Sequence, residues 1–283
     1  MLFDSKLVEK KIIEFIREIV KNSSSEGIVL GLSGGIDSAL AAALCSKAID
    51  PEKVNAVFFY ESEAGKFEDN TDFKDASEIV KKTGIVFTTI DITPIMNGLS
   101  STLKTVWMSE TKKSEKNQNI FEQSQISLGN IKARIRMAIL YNIANQTGSL
   151  VCGTKNKSEY LTGYFTKYGD GAVDFEPIAD LYKTEVWELS KHLEIPKNII
   201  NKKPTAGFSP GQTDEDDLGM SYEKLDTILK KLENKKINEE TNEETNKANK
   251  ANEETLTEKE IEILKKIKSA EHKRKMPSIC KIN

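Results

Sequence analysis

The 283-residue sequence predicts an α/β fold, a doubly wound parallel sheet with flanking helices on both faces. Three observations carry that expectation. Short apolar runs alternate with helical patterns through the first half of the chain. A glycine-rich turn separates the first apolar run from an Ala/Leu-rich stretch, as between a strand and the helix that covers it. The composition, 38% hydrophobic and 30% charged, suits one large α/β domain spanning residues 1–283.

The elements follow in order. Residues 2–20 place Leu7, Ile12, Phe15, Ile16 and Ile19 mostly on one face, an amphipathic helix. Residues 27–32, 54–60, 84–90 and 150–153 read as strands, and 38–48, 70–82 and 130–147 as helices. In the last of these, Met137, Ile139, Leu140 and Ile143 read as the core-facing side, and Trp187 and Leu193 read as further core. Residues 109–120 are polar and lysine-rich, the pattern of a mobile loop. Residues 235–256 repeat Asn-Glu-Glu-Thr and Lys-Ala-Asn with almost no large apolar side chain. Such a segment cannot bury a core; it reads as a low-complexity insertion that extends a helix as a solvated stalk or stays disordered. A helical pattern resumes at 258–270, and a basic tail covers 271–275.

The turn itself is Gly31-Leu32-Ser33-Gly34-Gly35-Ile36-Asp37-Ser38. A strand, a glycine turn and a helix N-terminus aim free N–H groups and the positive end of the helix dipole at the turn, so an anion is its natural occupant. Gly34 and Gly35 let the backbone approach that anion closely, and Ser33 and Ser38 add hydroxyl donors. Asp37 would repel a phosphate, and a Mg²⁺ ion between the two resolves the conflict. Neither the Walker pattern nor Gly-x-Gly-x-x-Gly is present.

Composition removes several classes. A net charge of −3 gives nucleic-acid binding no support. No stretch of 18 apolar residues and no signal peptide is visible, so no membrane role is expected. Cys45, Cys152 and Cys280 form neither a disulfide framework nor a zinc pattern, which suggests a reducing cytoplasm. With His192 and His272 the only histidines, a Ser-His-Asp triad is disfavoured.

Further polar motifs follow. Asn130-Ile131-Lys132-Ala133-Arg134-Ile135-Arg136-Met137 opens a helix, and Gly153-Thr154-Lys155-Asn156-Lys157-Ser158-Glu159 follows the fourth strand. Residues 163–174, Leu181-Tyr182-Lys183-Thr184, Lys203-Pro204-Thr205-Ala206 and Gly211-Gln212-Thr213-Asp214-Glu215 continue the series. The Ser-Gly-Gly-x-Asp-Ser core of the turn resembles the pyrophosphate loop of the ATP pyrophosphatases. Together with the later motifs and His272-Lys273-Arg274, it resembles the NAD synthetase family over about residues 25–225 and 271–277.

That resemblance implies an adenine nucleotide alpha hydrolase-like, Rossmann-like fold. It also implies a reaction: ATP, nicotinic acid adenine dinucleotide (deamido-NAD) and ammonia give NAD, AMP and pyrophosphate through an acyl adenylate. Carried onto this sequence, Gly31, Leu32, Ser33, Gly34, Gly35, Ile36, Asp37, Ser38, Thr154, Lys183 and Thr205 hold ATP as co-substrate. Arg134, Lys167, Asp174, His272 and Lys273 contact deamido-NAD, and Asp37 and Glu159 ligate Mg²⁺. Lys183 and Asp174 are the expected catalytic groups, Asp174 by orienting ammonia or taking its proton. Arg136 reads as a surface arginine, and Tyr164 and Phe165 read equally as lining for the nicotinate or as packing.

The family is homodimeric, with the face of 2–20 and the helix at 130–147 as candidate interfaces. Only 26 residues precede the first strand, too few for the glutaminase domain some members carry, so free ammonia is the expected nitrogen source. Two other readings stay open at this point. One is a non-catalytic ATP sensor; the other is a different ATP pyrophosphatase, such as one that modifies a nucleobase.

Overall fold

The structure, a computed structural model, describes residues 3–62, 67–110, 125–205, 213–244 and 256–282. Its centre is a four-stranded, all-parallel sheet in the order β3-β2-β1-β4, with β1 at Gly27–Gly31, β2 at Val54–Tyr60, β3 at Val86–Asp91 and β4 at Ser149–Cys152. The strand order reverses at β1: β2 lies on one side of it and β4 on the other. In sheets of this kind the crevice beyond the carboxyl ends of the strands, at that reversal, is where ligands bind.

Alternation along the buried strands assigns the two faces. Ile28 and Leu30 join a large core with α1 (Ser5–Asn22), α2 (Ile36–Ala48), α7 (Lys183–His192) and α8 (Lys197–Ile200). Val29, Val57 and Val151 point the other way, onto Leu140, Tyr141, Ile143 and Ala144 of α5 (Gln125–Thr147). Helix α2 is buried nearly all round, which its run of alanines permits by letting neighbouring backbones approach closely. A Leu40→Ala change there would cost roughly 2–5 kcal/mol. A third cluster joins Tyr182 to Leu218, Tyr222, Leu225, Leu229 and Ile263, from α9 (Asp214–Leu218), α10 (Tyr222–Glu244) and α11 (Glu258–Ser269).

Several boundaries differ from the sequence expectation, each for a local reason. β3 starts at Val86 rather than at 84 because Gly84, at φ +72°, caps α3 (Thr71–Thr83) and gives its N–H to Val80 O. β4 ends at Cys152 because Gly153 N–H turns to Phe175 O, 2.8 Å away. α4 (Thr93–Glu110) was not expected; it covers the start of the presumed 109–120 loop, whose remaining residues lie outside the described ones. Helix α10 carries the low-complexity segment as far as Glu244, and 245–255 lie outside the described residues.

The amphipathic face of α1 is divided: Ile12 and Ile16 are buried against α2 and α7, whereas Leu7 and Phe15 are 48% and 40% exposed. In α5, Leu140 and Ile143 face the sheet as expected, but Met137 and Ile139 are only half-buried and belong to none of the core clusters. A helix of 3.6 residues per turn cannot aim 137, 139, 140 and 143 at one narrow seam.

Candidate active site

The glycine turn sits at the carboxyl end of β1. Gly34 has φ +78°, and a Cβ there would run into the Asp72 carbonyl oxygen, so the turn closes only around glycine. Lys202 Nζ holds this junction from outside: it bonds Asp72, Asp75 at 2.6 Å and the Gly34 carbonyl at 3.4 Å. Inside the turn, Ser38 Oγ accepts from Ser33 N at 3.2 Å and donates to Gly35 O at 3.0 Å. Gly35 is the N-cap of α2 and offers no side chain to the first helical N–H groups. The N-terminus of α2 therefore meets the turn without a side-chain cap.

Asp37 lies on the first turn of α2 and meets two groups from across the reversal point. Asn156 Nδ2 donates to Asp37 Oδ1 at 2.9 Å, and Lys183 Nζ lies 2.5 Å from Asp37 Oδ2. Lys183 is 1% exposed and stands 5.1 Å from the centre of the Tyr222 ring. Burial works against its charge, yet Asp37 and Glu159 outweigh that and hold its pKa above the ordinary lysine value.

Glu159 opens α6 (Lys157–Thr162) as one half of a capping box: its N–H donates to Asn156 Oδ1 at 3.0 Å, and its Oε2 accepts from Asn156 N at 3.1 Å. Burial and the charge of Asp37 push Glu159 up to about 8, against the pull of Lys183. Asp214 adds a third carboxyl; burial raises it, while Lys183 and the hydroxyls of Tyr222 and Tyr164 pull the other way.

One lysine thus faces three acids, and the shortage of positive charge appears as a carboxyl forced toward neutrality. A hard divalent cation would supply the missing charge. Mg²⁺ takes one or two carboxylates and fills its remaining sites with water and phosphate, and the oxygens of Asp37 and Glu159 are donors of that kind. Thr154 lies half-buried beyond β4, and Thr205 is exposed on the segment that follows Lys202.

Lys183 is placed by a buried network. Its backbone N donates to Ser158 Oγ at 3.0 Å, Ser158 Oγ to Asp226 Oδ1 at 2.5 Å, and Thr184 N to Asp226 Oδ2 at 2.9 Å. Asp226 comes from α10, 42 residues beyond Thr184.

A second group of cations gathers over the loop at 163–171. Arg134 donates to Lys167 O at 3.3 Å, and Lys167 Nζ to His272 O at 2.5 Å. Lys273 Nζ donates to Gly163 O at 2.7 Å and Phe165 O at 2.8 Å, and burial lowers its pKa. The basic tail is therefore docked, with α12 (Glu271–Arg274) set against this loop.

Asp174 is placed differently. It is exposed beside β4, and both its oxygens are engaged, by Val151 N at 2.7 Å and Tyr141 Oη at 3.2 Å. Phe165 packs under Lys155 and Lys273, whereas Tyr164 turns its hydroxyl to Asp217 and Asp214.

The structure thus joins Asp37, Glu159 and Lys183 in one cluster, and Arg134, Lys167, His272 and Lys273 in another. Sequence reasoning gave no role to Asn156, Lys202, Asp214 or Asp226. Asn156 and Asp214 lie within the motifs quoted above, and Asn156 also carries the Asn-x-x-Glu capping pattern ahead of α6.

A model of the NAD synthase family matches residues 8–277. An NH₃-dependent NAD⁺ synthetase of Pyrococcus furiosus is 39% identical over 269 residues, covering 95% of this chain and 93% of that protein. An NH₃-dependent NAD synthetase structure from Campylobacter jejuni superposes with a TM-score of 0.71 at 34% identity, over 99% of this chain and all of that one. An NMN synthetase structure from Francisella tularensis superposes with a TM-score of 0.78 at 32% identity, over 98% of this chain and 99% of that one. The chain belongs to the NAD synthase family.

Proposed function

We propose that the glycine turn, Asp37, Glu159 and Lys183 gather Mg²⁺-bound ATP, and that Arg134, Lys167, His272 and Lys273 present the nicotinate carboxylate of deamido-NAD to it. The family reaction, and that of this enzyme, is the ATP-dependent amidation of deamido-NAD by ammonia to NAD. A single observation carries the site assignment: three carboxyls converge on one buried lysine where a helix N-terminus and a glycine turn also point.

A free carboxylate resists amination because its anion is a poor electrophile and oxide a poor leaving group. Attack of a nicotinate oxygen on the α-phosphorus of ATP, with loss of pyrophosphate, removes both faults. Ammonia then attacks the acyl carbon, AMP departs, and the nitrogen loses a proton. No enzyme nucleophile is needed, so catalysis here is positioning and charge neutralisation.

Asp37 and Glu159 would hold the Mg²⁺, which supplies charge neutralisation of the triphosphate when bound. Lys183 exchanges part of its contact with Asp37 for phosphate oxygens. Ser33, Gly34, Gly35 and Ser38 hold the departing pyrophosphate, and Thr154 and Thr205 bond the nucleotide. Asp174, fixed by Tyr141 and Val151 N, orients ammonia or takes its proton.

The enzyme works as a homodimer. Both α1, where Leu7 and Phe15 stay exposed, and α5, whose Ile126 is 67% exposed, are candidate interfaces. No helix among the described residues is long and apolar enough to cross a membrane. The thiols of Cys45 and Cys152, 3.8 Å apart and unbonded, fit a reducing cytoplasm.

The test is release of AMP and pyrophosphate from ATP with a panel of carboxylate acceptors, with and without ammonium. Release with deamido-NAD supports the reading. Release only with the mononucleotide acceptor would favour the activity named for the Francisella protein. ATP binding without AMP from any acceptor would indicate a sensor.

A further inference from the structure

Arg136 was read from sequence as a surface arginine, and the structure places it otherwise. Its Nε is buried and has no hydrogen-bond partner among the described residues. Burial lowers its pKa, and the acids that oppose the shift are Glu61 and Asp170. Both are already engaged. Glu61 is 2.6 Å from Lys132 Nζ, Asp170 Oδ1 accepts from Thr166 N at 2.9 Å, and the Asp170 carbonyl accepts from Lys155 Nζ at 2.7 Å. A buried N–H donor left without a partner is costly, and an oxygen of a bound anion would satisfy it.

Position suggests the role. Leu140, one turn further along α5, is the side chain nearest Gly31, the last residue of β1. The chain enters β4 directly after α5, so residues ahead of Leu140 project past the carboxyl ends of the strands. At 1.5 Å per residue, Arg136 stands roughly 6 Å beyond the start of the glycine turn. Arg134, two residues away and so on another side of the helix, serves the 163–171 loop instead.

We infer that Arg136 is a substrate-binding residue whose fork receives an oxyanion, phosphate or carboxylate, of the nucleotides in the crevice. The inference rests on the reading proposed above. A planar guanidinium whose buried Nε–H is unpaired offers that donor beside a terminal N–H, the fork that receives a bidentate oxyanion.

The experiment measures the Kd of Mg²⁺-ATP, deamido-NAD and NAD separately for wild type, R136M and R136K, with the Tm of each unliganded protein. R136M is expected to bind ATP or deamido-NAD about tenfold or more weakly, with no fall in Tm, because the donor removed is one the unliganded protein leaves unpaired. R136K, keeping the charge without the fork, recovers part of the affinity. Weakening toward ATP assigns the phosphate; weakening toward deamido-NAD but not NAD assigns the carboxylate. A fall in Tm of R136M with wild-type Kd values for all three ligands would overturn the inference. If wild type bound neither substrate, the functional reading itself would fall first.

Discussion

The two halves of the site are built in opposite ways. The half assigned to ATP stands on core elements: α2 is buried almost all round, Lys183 is 1% exposed, and its partners come from α2, α6 and α10. The half assigned to the dinucleotide stands on a loop and a chain tail. There Lys167 and Lys273 bond backbone carbonyls, and Arg134 and His272 are exposed. A carboxylate–lysine cluster is specific and fixed before the substrate arrives. Carbonyl partners hold a cation more weakly and are easily exchanged for a substrate anion. The first half is therefore preorganised for charge, and the second is a surface that completes itself on binding.

Breaking the rigid half should have the largest effect. Asp37→Ala removes the proposed metal ligand and leaves Lys183 buried without its closest partner; kcat/KM for ATP is expected to fall about 100- to 1,000-fold in a steady-state assay. An unimpaired D37A enzyme would remove this cluster from the chemistry.

The pliable half should respond more mildly and more selectively. Replacing His272 and Lys273 with alanine is expected to raise KM for deamido-NAD roughly tenfold, the worth of one or two charge-assisted contacts, and to leave KM for ATP unchanged. Equal losses for both substrates would mean that the tail only supports the fold.

A pH experiment sharpens the contrast. Glu159 ionises near 8 in the fold against an ordinary value of 4.5. With the folded pKa raised, its contribution to metal-free stability is full below pH 4.5 and is lost as pH rises to about 8. Glu159→Gln should therefore melt above wild type at pH 8 without Mg²⁺, with the gap closing toward pH 4.5. Mg²⁺-ATP should bind wild type more tightly as pH rises through the same window, with proton release. A pH-independent gap would contradict the charge shortage.

The smallest effect is expected in the charged segment. Replacing 245–255 with a Gly/Ser chain of equal length should leave kcat/KM within about twofold, since such linkers preserve reach without packing.

The contrast between the halves also shows what the sequence could reveal. The glycine turn was legible because its elements are consecutive: strand, turn and helix N-terminus lie within residues 27–48. Glu159 was reached through the family resemblance alone, although its capping bond with Asn156, three residues away, is local enough to read. Lys202 was not, because Asp72 and Asp75 lie 130 and 127 residues earlier and only the packing of α3 beside the turn unites them. Asp226 was hidden likewise, 68 residues from Ser158 on a helix that looks like a solvated stalk. Strand ends shifted where glycine backbone geometry at Gly84 and a tertiary hydrogen bond at Gly153 override apolar patterning. The half-buried setting of Arg136 was hidden because the acids facing it, Glu61 and Asp170, are distant in sequence.

The central claim is that the dinucleotide carboxylate is activated as an acyl adenylate. It is tested most directly with deamido-NAD carrying ¹⁸O in both carboxylate oxygens. After turnover with ATP and ammonium, mass spectrometry should find one ¹⁸O in AMP, one in the amide of NAD and none in pyrophosphate. AMP free of the label, or label in pyrophosphate, would contradict the account.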